Sequence, residues 1–153
     1  MTAAWLIMLT SAAAHHSFAM YDQKKTYVFT GVVTRVSPDA SHLQIFFAPL
    51  NEARDSVIRD RAGQPVVWTV ELRAAGQVAR EGVSVDSFPP GTIFSIGLHP
   101  LRSGRPAGGR GTSGLFKCPP KTPPAPGNHC DSVAGSTSHG AGVLPEPTHR
   151  WAP

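Results

Sequence analysis

The chain has 153 residues, the length of one domain, and only 16% of them are charged. Its formal net charge is +4 and its isoelectric point is near 9.5. The basic residues are scattered, and Lys24–Lys25 is the only adjacent pair, so the chain lacks the clustered positive charge that nucleic-acid binding needs. The composition therefore predicts a mildly basic protein that does not bind nucleic acid.

The first 14 residues have the pattern of a cleavable export signal. Residues 3–9 form an apolar run that is too short to cross a bilayer as a stable helix. The small residues Ala12 and Ala14 follow it in the A-x-A arrangement that signal peptidase reads. No Lys or Arg precedes the run, and a buried N-terminal helix is the alternative. We expect cleavage near Ala13 or Ala14 and a periplasmic or secreted mature protein without a membrane span.

The next segments have the composition of β-strands, with one short helix among them. In the clearest of them Leu43, Ile45 and Phe47 alternate with positions that include His42, which is typical of a half-buried strand. We predict strands over 26–36, 42–48, 66–72 and 92–98, a bulge or tight bend at Gly31, and a helix over 73–80. The order favours a mainly β domain over residues 15–102, as a small OB-like barrel or, alternatively, a curled antiparallel sheet or open sandwich.

Residues 103–153 differ sharply in composition, because nine glycines and nine prolines fall within them. Such a segment buries little apolar surface, so we expect an irregular tail. Cys118 and Cys130 are the only cysteines and both lie here. In an oxidising compartment the pair predicts a disulfide, although metal ligation together with His129 and free thiols are alternatives. The tail histidines His129, His139 and His149 look incidental.

Several short blocks carry a resemblance to a known family. They are AHHSFA at 14–19 followed by Tyr21–Asp22, GVVTRV at 31–36, WTVE at 68–71, REG at 80–82 and PGT at 90–92. Over about residues 14–105 the chain resembles the exported bacterial family of unknown function DUF6152. The resemblance implies export and a β fold, and it supplies no reaction. It also implies that His42 stands where the family carries a histidine, although Ala40–Ser41 replace the family's Asn-Pro.

The paired histidines suggest a metal site. Cleavage after Ala14 would leave His15 with a free α-amine, and this amine and the imidazole Nδ1 can chelate one ion. A further imidazole completes a nitrogen-only site that suits Cu(II). His42 is the first candidate, from the resemblance and from its strand face opposite the core, and His99 is the second. Cleavage one residue earlier would instead create a chelate that uses His16. The predicted metal ligands are therefore His15, His16, His42 and His99, while a simply solvated terminus is the alternative.

These observations favour a non-enzymatic periplasmic binding or accessory module that binds copper through its mature N-terminus. The partner would be a periplasmic protein or a small ligand. The alternative is an interaction domain that binds a peptide, a glycan or a small molecule in the barrel groove. An enzyme is less favoured because no nucleophile, base and stabilising group can be assembled from the sequence.

Overall fold

The computed structural model describes residues 18–38 and 41–153. Its strands are β1 (Tyr27–Pro38), β2 (Leu43–Pro49), β3 (Trp68–Glu71), β4 (Ile93–Pro100), β5 (Ala107–Gly109), β6 (Leu115–Lys117) and β7 (Thr137–Ser138). One α-helix, α1 (Ala75–Ala79), lies between β3 and β4, and two 3₁₀ turns cover Phe18–Met20 and Cys130–Ser132. In the described part of the chain, none of the helices has the length and apolar character needed to cross a membrane.

The first five strands form a closed barrel. Their order is β1-β2-β3-β5-β4, and β4 pairs back with β1. All neighbouring strands in the barrel are antiparallel except β3 and β5, which are parallel. With its single helix between the third and fourth strands, the structure confirms the predicted mainly β fold and its small barrel.

Alternation of side chains explains why these segments form the barrel wall. Along β2, Leu43, Ile45 and Phe47 are buried, whereas Gln44 and Phe46 on the other face are only half-buried. Successive side chains of a strand point to opposite faces, so the first set fills the barrel and the second lines its outside. Core side chains also come from the other strands and from the segment around α1: Phe29, Val33, Trp68, Val70, Val78, Val83, Phe88, Phe94, Ile96 and Leu98.

The bulge of β1 does not lie at Gly31, where the sequence analysis predicted a bulge or tight bend. The register of β1 against β2 shifts between Val33 and Arg35, and Gly31 remains regularly paired with Pro49. The reason for a glycine at 31 is close packing, since an added Cβ would lie 2.6 Å from Cδ2 of Phe47. Gly31 therefore permits tight contact between two barrel strands and does not itself form the bulge.

Residues 103–153 are largely irregular, but they are not a loose tail separate from a domain that ends at residue 102. This segment supplies β5, which completes the barrel, and β6, which pairs with β4. Leu115 and Cys130 are fully buried, and Trp151 packs against the core. The predicted disulfide is confirmed, since Cys118 and Cys130 are joined with their Cα atoms 5.0 Å apart. A few buried side chains and this crosslink hold a segment whose average composition predicts disorder.

Two glycine substitutions test this account of the packing. Gly31→Ala should lower the free energy of unfolding by about 1–3 kcal/mol, because the new methyl group overlaps Phe47. Gly76→Ala is the control: no atom lies within 4 Å of an added Cβ in α1, so it should raise the free energy by about 0.5–1 kcal/mol. Chemical denaturation of both variants measures the difference. Equal effects of the two substitutions would contradict the packing role of Gly31.

Candidate functional site

A cavity of about 370 Å³ opens on the outside of the barrel, where β3 and β5 end side by side. We call it the tyrosine cavity. Its walls combine side chains that carry charge or hydrogen-bonding groups with the backbone of the glycines at 109, 111 and 142. The main polar side chains are Tyr21, Glu71, Arg73, Glu81, His99 and Arg110.

Tyr21 forms one wall of the cavity and is only 7% exposed. Its backbone bridges to Leu101, and its ring lies against Gly109, where an added Cβ would be 2.9 Å from Cε2. Burial, together with the charge and hydrogen bonding of the Glu71 carboxylate, raises the pKa of the Tyr21 hydroxyl well above its usual range. The hydroxyl therefore stays protonated and is a hydrogen-bond donor beside Glu71.

His99 lies in β4 and lines the same cavity. Its Nδ1 is 2.9 Å from the carbonyl oxygen of Lys25. Because a carbonyl only accepts, Nδ1 carries the proton, and the neutral ring then has its lone pair on Nε2. A backbone carbonyl that fixes the tautomer of a histidine in this way is typical of metal-ligating imidazoles.

His42 stands just before β2, and its Nδ1 lies 3.7 Å from Oε1 of Glu71. Glu71 is a cavity residue, so His42 adjoins the site through this carboxylate without being part of its wall. Its side chain is 35% exposed. The predicted ligands His15 and His16 lie outside the described residues.

The far side of the cavity is held by a network around Glu81. Its carboxylate pairs with Arg73 and with Nη1 of Arg110, the latter at 2.9 Å. Nη2 of Arg110 donates to the carbonyl oxygen of His139, and Nδ1 of His139 donates to that of Glu81. The buried Arg110 guanidinium is therefore occupied by structural bonds, which tie the segment after α1 to the segment after β5 and to the C-terminal region.

Two acceptors of this lining, the Glu71 carboxylate and Nε2 of His99, are placed to meet a ligand. Such a lining suits a cation or a ligand rich in hydrogen-bond donors. Within residues 18–38 and 41–153, no three His, Cys, Asp or Glu side chains are grouped so as to hold a metal ion. A metal held in this cavity by three such side chains would need at least one of them from outside that part of the chain.

A family model places the chain among known proteins. Residues 4–110 match the family of unknown function DUF6152, which is more than half of the sequence. The chain belongs to this family. The match spans the whole barrel and the polar residues of the tyrosine cavity up to Arg110. Comparison with curated proteins and with solved structures found no match.

Sequence reasoning found only part of this site in the DUF6152 chain. It named His99 and His42, which the structure brings to the same region, but it missed the parts played by Tyr21, Glu81 and Arg110. Tyr21 carried a signal, because it follows the paired histidines in the block that resembles the family. Arg110 carried none, because it lies in the segment whose composition indicates irregular structure.

Two histidines should make the stability of this DUF6152 protein depend on pH. Burial lowers the pKa of His139 and His129, and nearby Arg54 lowers that of His129 further. In the unfolded chain these histidines have a pKa of about 6.5 and take up protons as the pH falls below neutrality. In the folded protein both remain neutral over that part of the pH range. The free energy of unfolding should therefore fall between about pH 7 and pH 5.

Thermal unfolding across this range measures the effect. His139→Gln should lower stability at neutral pH, because it removes the bond to Glu81, and should make the pH dependence shallower. His149→Gln is the control, since the exposed side chain of that histidine bonds to the hydroxyl of the neighbouring Thr148, and its replacement should leave the slope unchanged. A stability that does not vary with pH in the unchanged protein would contradict the burial of neutral histidines.

Proposed function

We propose that this DUF6152 protein is an exported, non-enzymatic binding module and that the tyrosine cavity is its ligand site. The observation that carries the proposal is the convergence of Tyr21, Glu71 and His99 on one cavity. Its volume falls within the range of small-ligand sites. The disulfide supports an oxidising compartment, such as the periplasm, as the place where the protein works.

Cu(II) is the ligand that we favour. After cleavage at Ala14, the α-amine and Nδ1 of His15 would supply two nitrogens, and Nε2 of His99 would supply a third. His15 stands three positions before the 3₁₀ turn Phe18–Met20 that leads into Tyr21, so an extended segment can span about 10 Å from the start of that turn. The Lys25 carbonyl supports His99 in this role because it holds the ring in the tautomer that a metal requires.

The contacts of the two domain histidines reverse their order as candidate ligands. His99 lines the cavity, whereas His42 is not part of its wall and lies 3.7 Å from the Glu71 carboxylate. We therefore assign the ligand role to His99 and a positioning role to His42, which orients Glu71. His16 becomes the ligand only if cleavage occurs after Ala13, where the terminal tripeptide chelates copper without help from the barrel.

The second candidate is a small organic ligand, peptide or glycan in the same cavity. The acceptor groups Glu71 and His99 favour a molecule that presents several hydroxyl or ammonium donors. This candidate needs no copper, and the paired histidines then only shape the terminus. A periplasmic partner that delivers or receives the ligand fits either candidate.

Copper titration of the secreted protein tests the proposal, after N-terminal sequencing and intact mass have identified the cleavage site. If His15 is first, His99→Ala should weaken Cu(II) binding about tenfold or more, because one nitrogen ligand is lost. Acetylation of the α-amine should have a similar effect. His42→Ala should have a smaller effect, and His149→Ala, which removes an exposed histidine, should have none.

Three results would count against the metal site. Binding no tighter than micromolar, or equal losses in His99→Ala and His149→Ala, would exclude a specific site that uses the cavity. Binding that survives every variant but requires His16 would point to the terminal tripeptide alone. If Cu(II) does not bind in this way, saturable binding of an organic ligand to the protein, with loss of that binding in Glu71→Gln, would support the second candidate.

A further inference from the structure

A second cavity, of about 660 Å³, lies on another side of the barrel. It is bounded by β1, by the loop after β2, by the segment that carries the disulfide, and by the last ten residues. We call it the arginine cavity. It shares no lining residue with the tyrosine cavity, so its role is independent of the function proposed above.

Arg54 is the unusual residue of this cavity. It is only 9% exposed, yet its guanidinium forms no ion pair with a carboxylate in the described ranges. Nε donates to the carbonyl oxygen of Asn128 and Nη1 to that of Asn51. No described residue accepts a hydrogen bond from Nη2. Burial of this charge is costly, and Glu52 attracts it only from beyond ion-pair distance. An anion that bonds directly to Nη2 is therefore favourable.

The backbone of Arg54 adds to this cost. Its φ is +63°, in the left-handed region that residues other than glycine and asparagine rarely adopt. Strained positions of this kind cluster at binding sites, where the surrounding structure holds a side chain in place. The loop is thus fixed in a conformation that brings a charged group into a cavity wall.

His129 adds a second donor to the same cavity. The backbone N–H of Cys130 donates to Oγ of Ser95, which lies 2.7 Å from Oγ1 of Thr30, and Thr30 lies 2.8 Å from Nδ1 of His129. In this series of buried hydrogen bonds, each hydroxyl proton has an acceptor only if Ser95 donates to Thr30 and Thr30 donates to Nδ1 of His129. A neutral His129 then carries its proton on Nε2, as a hydrogen-bond donor.

One wall of the arginine cavity is apolar. Phe29 and Trp151 lie with their ring centroids 5.7 Å apart, and Leu144 and Pro145 continue the surface. Three carboxylates also border the cavity, and all of them are exposed. Glu52 is 72% exposed and pairs with Arg150, and the other two are Asp131 and Glu146. Solvent screens such exposed charges strongly, so the buried Arg54 dominates the interior.

We propose that the arginine cavity is a binding site for a small carboxylate that bears an aromatic or aliphatic group. The carboxylate is the counter-ion that Arg54 lacks, and it accepts a hydrogen bond from Nε2 of His129. A guanidinium matches the planar geometry of a carboxylate, which favours this anion. The apolar group of the ligand packs against Phe29 and Trp151.

Calorimetric titration of the full, oxidised chain with benzoate tests the site. Benzamide has the same shape without the charge, and acetate has the charge without the ring, so both should bind at least tenfold more weakly than benzoate. Arg54→Lys keeps the charge but loses the planar fork, and it should weaken benzoate binding about tenfold or more. Arg150→Lys is the matched control: it borders the same cavity, is 87% exposed, and should leave binding unchanged.

An NMR titration of the protein without substitutions tests the site even if a variant fails to fold. Benzoate should shift the NMR signals of the Arg54 Nε–H and the Trp151 indole saturably, whereas benzamide should not. The proposal is overturned if benzoate and benzamide bind equally, if Arg150→Lys loses as much affinity as Arg54→Lys, or if benzoate shifts neither signal. In those cases Arg54 serves only to join the loop after β2 to the disulfide segment.

Discussion

Pairing of β1 with both β2 and β4 is the constraint on which the rest of the structure depends. This strand is 12 residues long. Its first half pairs with β4 and its second half pairs with β2, with a register shift between Val33 and Arg35, so one strand closes the barrel. Closure brings the short strands β3 and β5 together in parallel. Parallel neighbours end at the same edge, which is why Glu71 and Arg110 meet beside His99 although they are distant in sequence.

The C-terminal third of the chain builds one wall of each cavity. Residues 141–142 border the tyrosine cavity, and residues 144–153 border the arginine cavity. Two glycines let this segment lie directly on the barrel: an added Cβ would be 2.6 Å from Pro145 at Gly97 and 2.5 Å from the backbone of Val143 at Gly114. Small residues in the barrel loops and strands thus determine where the segment is seated.

The sequence predicted the elements whose signals are local. β-branched composition located β1, alternating apolar residues located β2 and β3, and β4 was also predicted. The small barrel followed from the number of these strands and from one short helix. The two cysteines were enough to predict their disulfide. Contacts that join distant positions left no such pattern, so the pairing of Glu81 with Arg110 and the place of Tyr21 beside Glu71 were not predicted. His129 and His139 looked incidental, yet both take part in buried hydrogen-bond networks, because their partners are 58 or more positions away.

The family match ends at Arg110, but the barrel also depends on residues beyond that position. Strand β6 covers the stretch of β4 from Phe94 to Ile96 with backbone hydrogen bonds, and β7 in turn covers β6. A strand edge without such a cover is a template for pairing with another molecule. Residues 115–117, held by the adjacent disulfide, therefore also prevent this edge of β4 from pairing with a strand of another molecule. A relative without such a segment must protect that part of β4 by other means, for example with charged side chains, or use it to assemble with a partner.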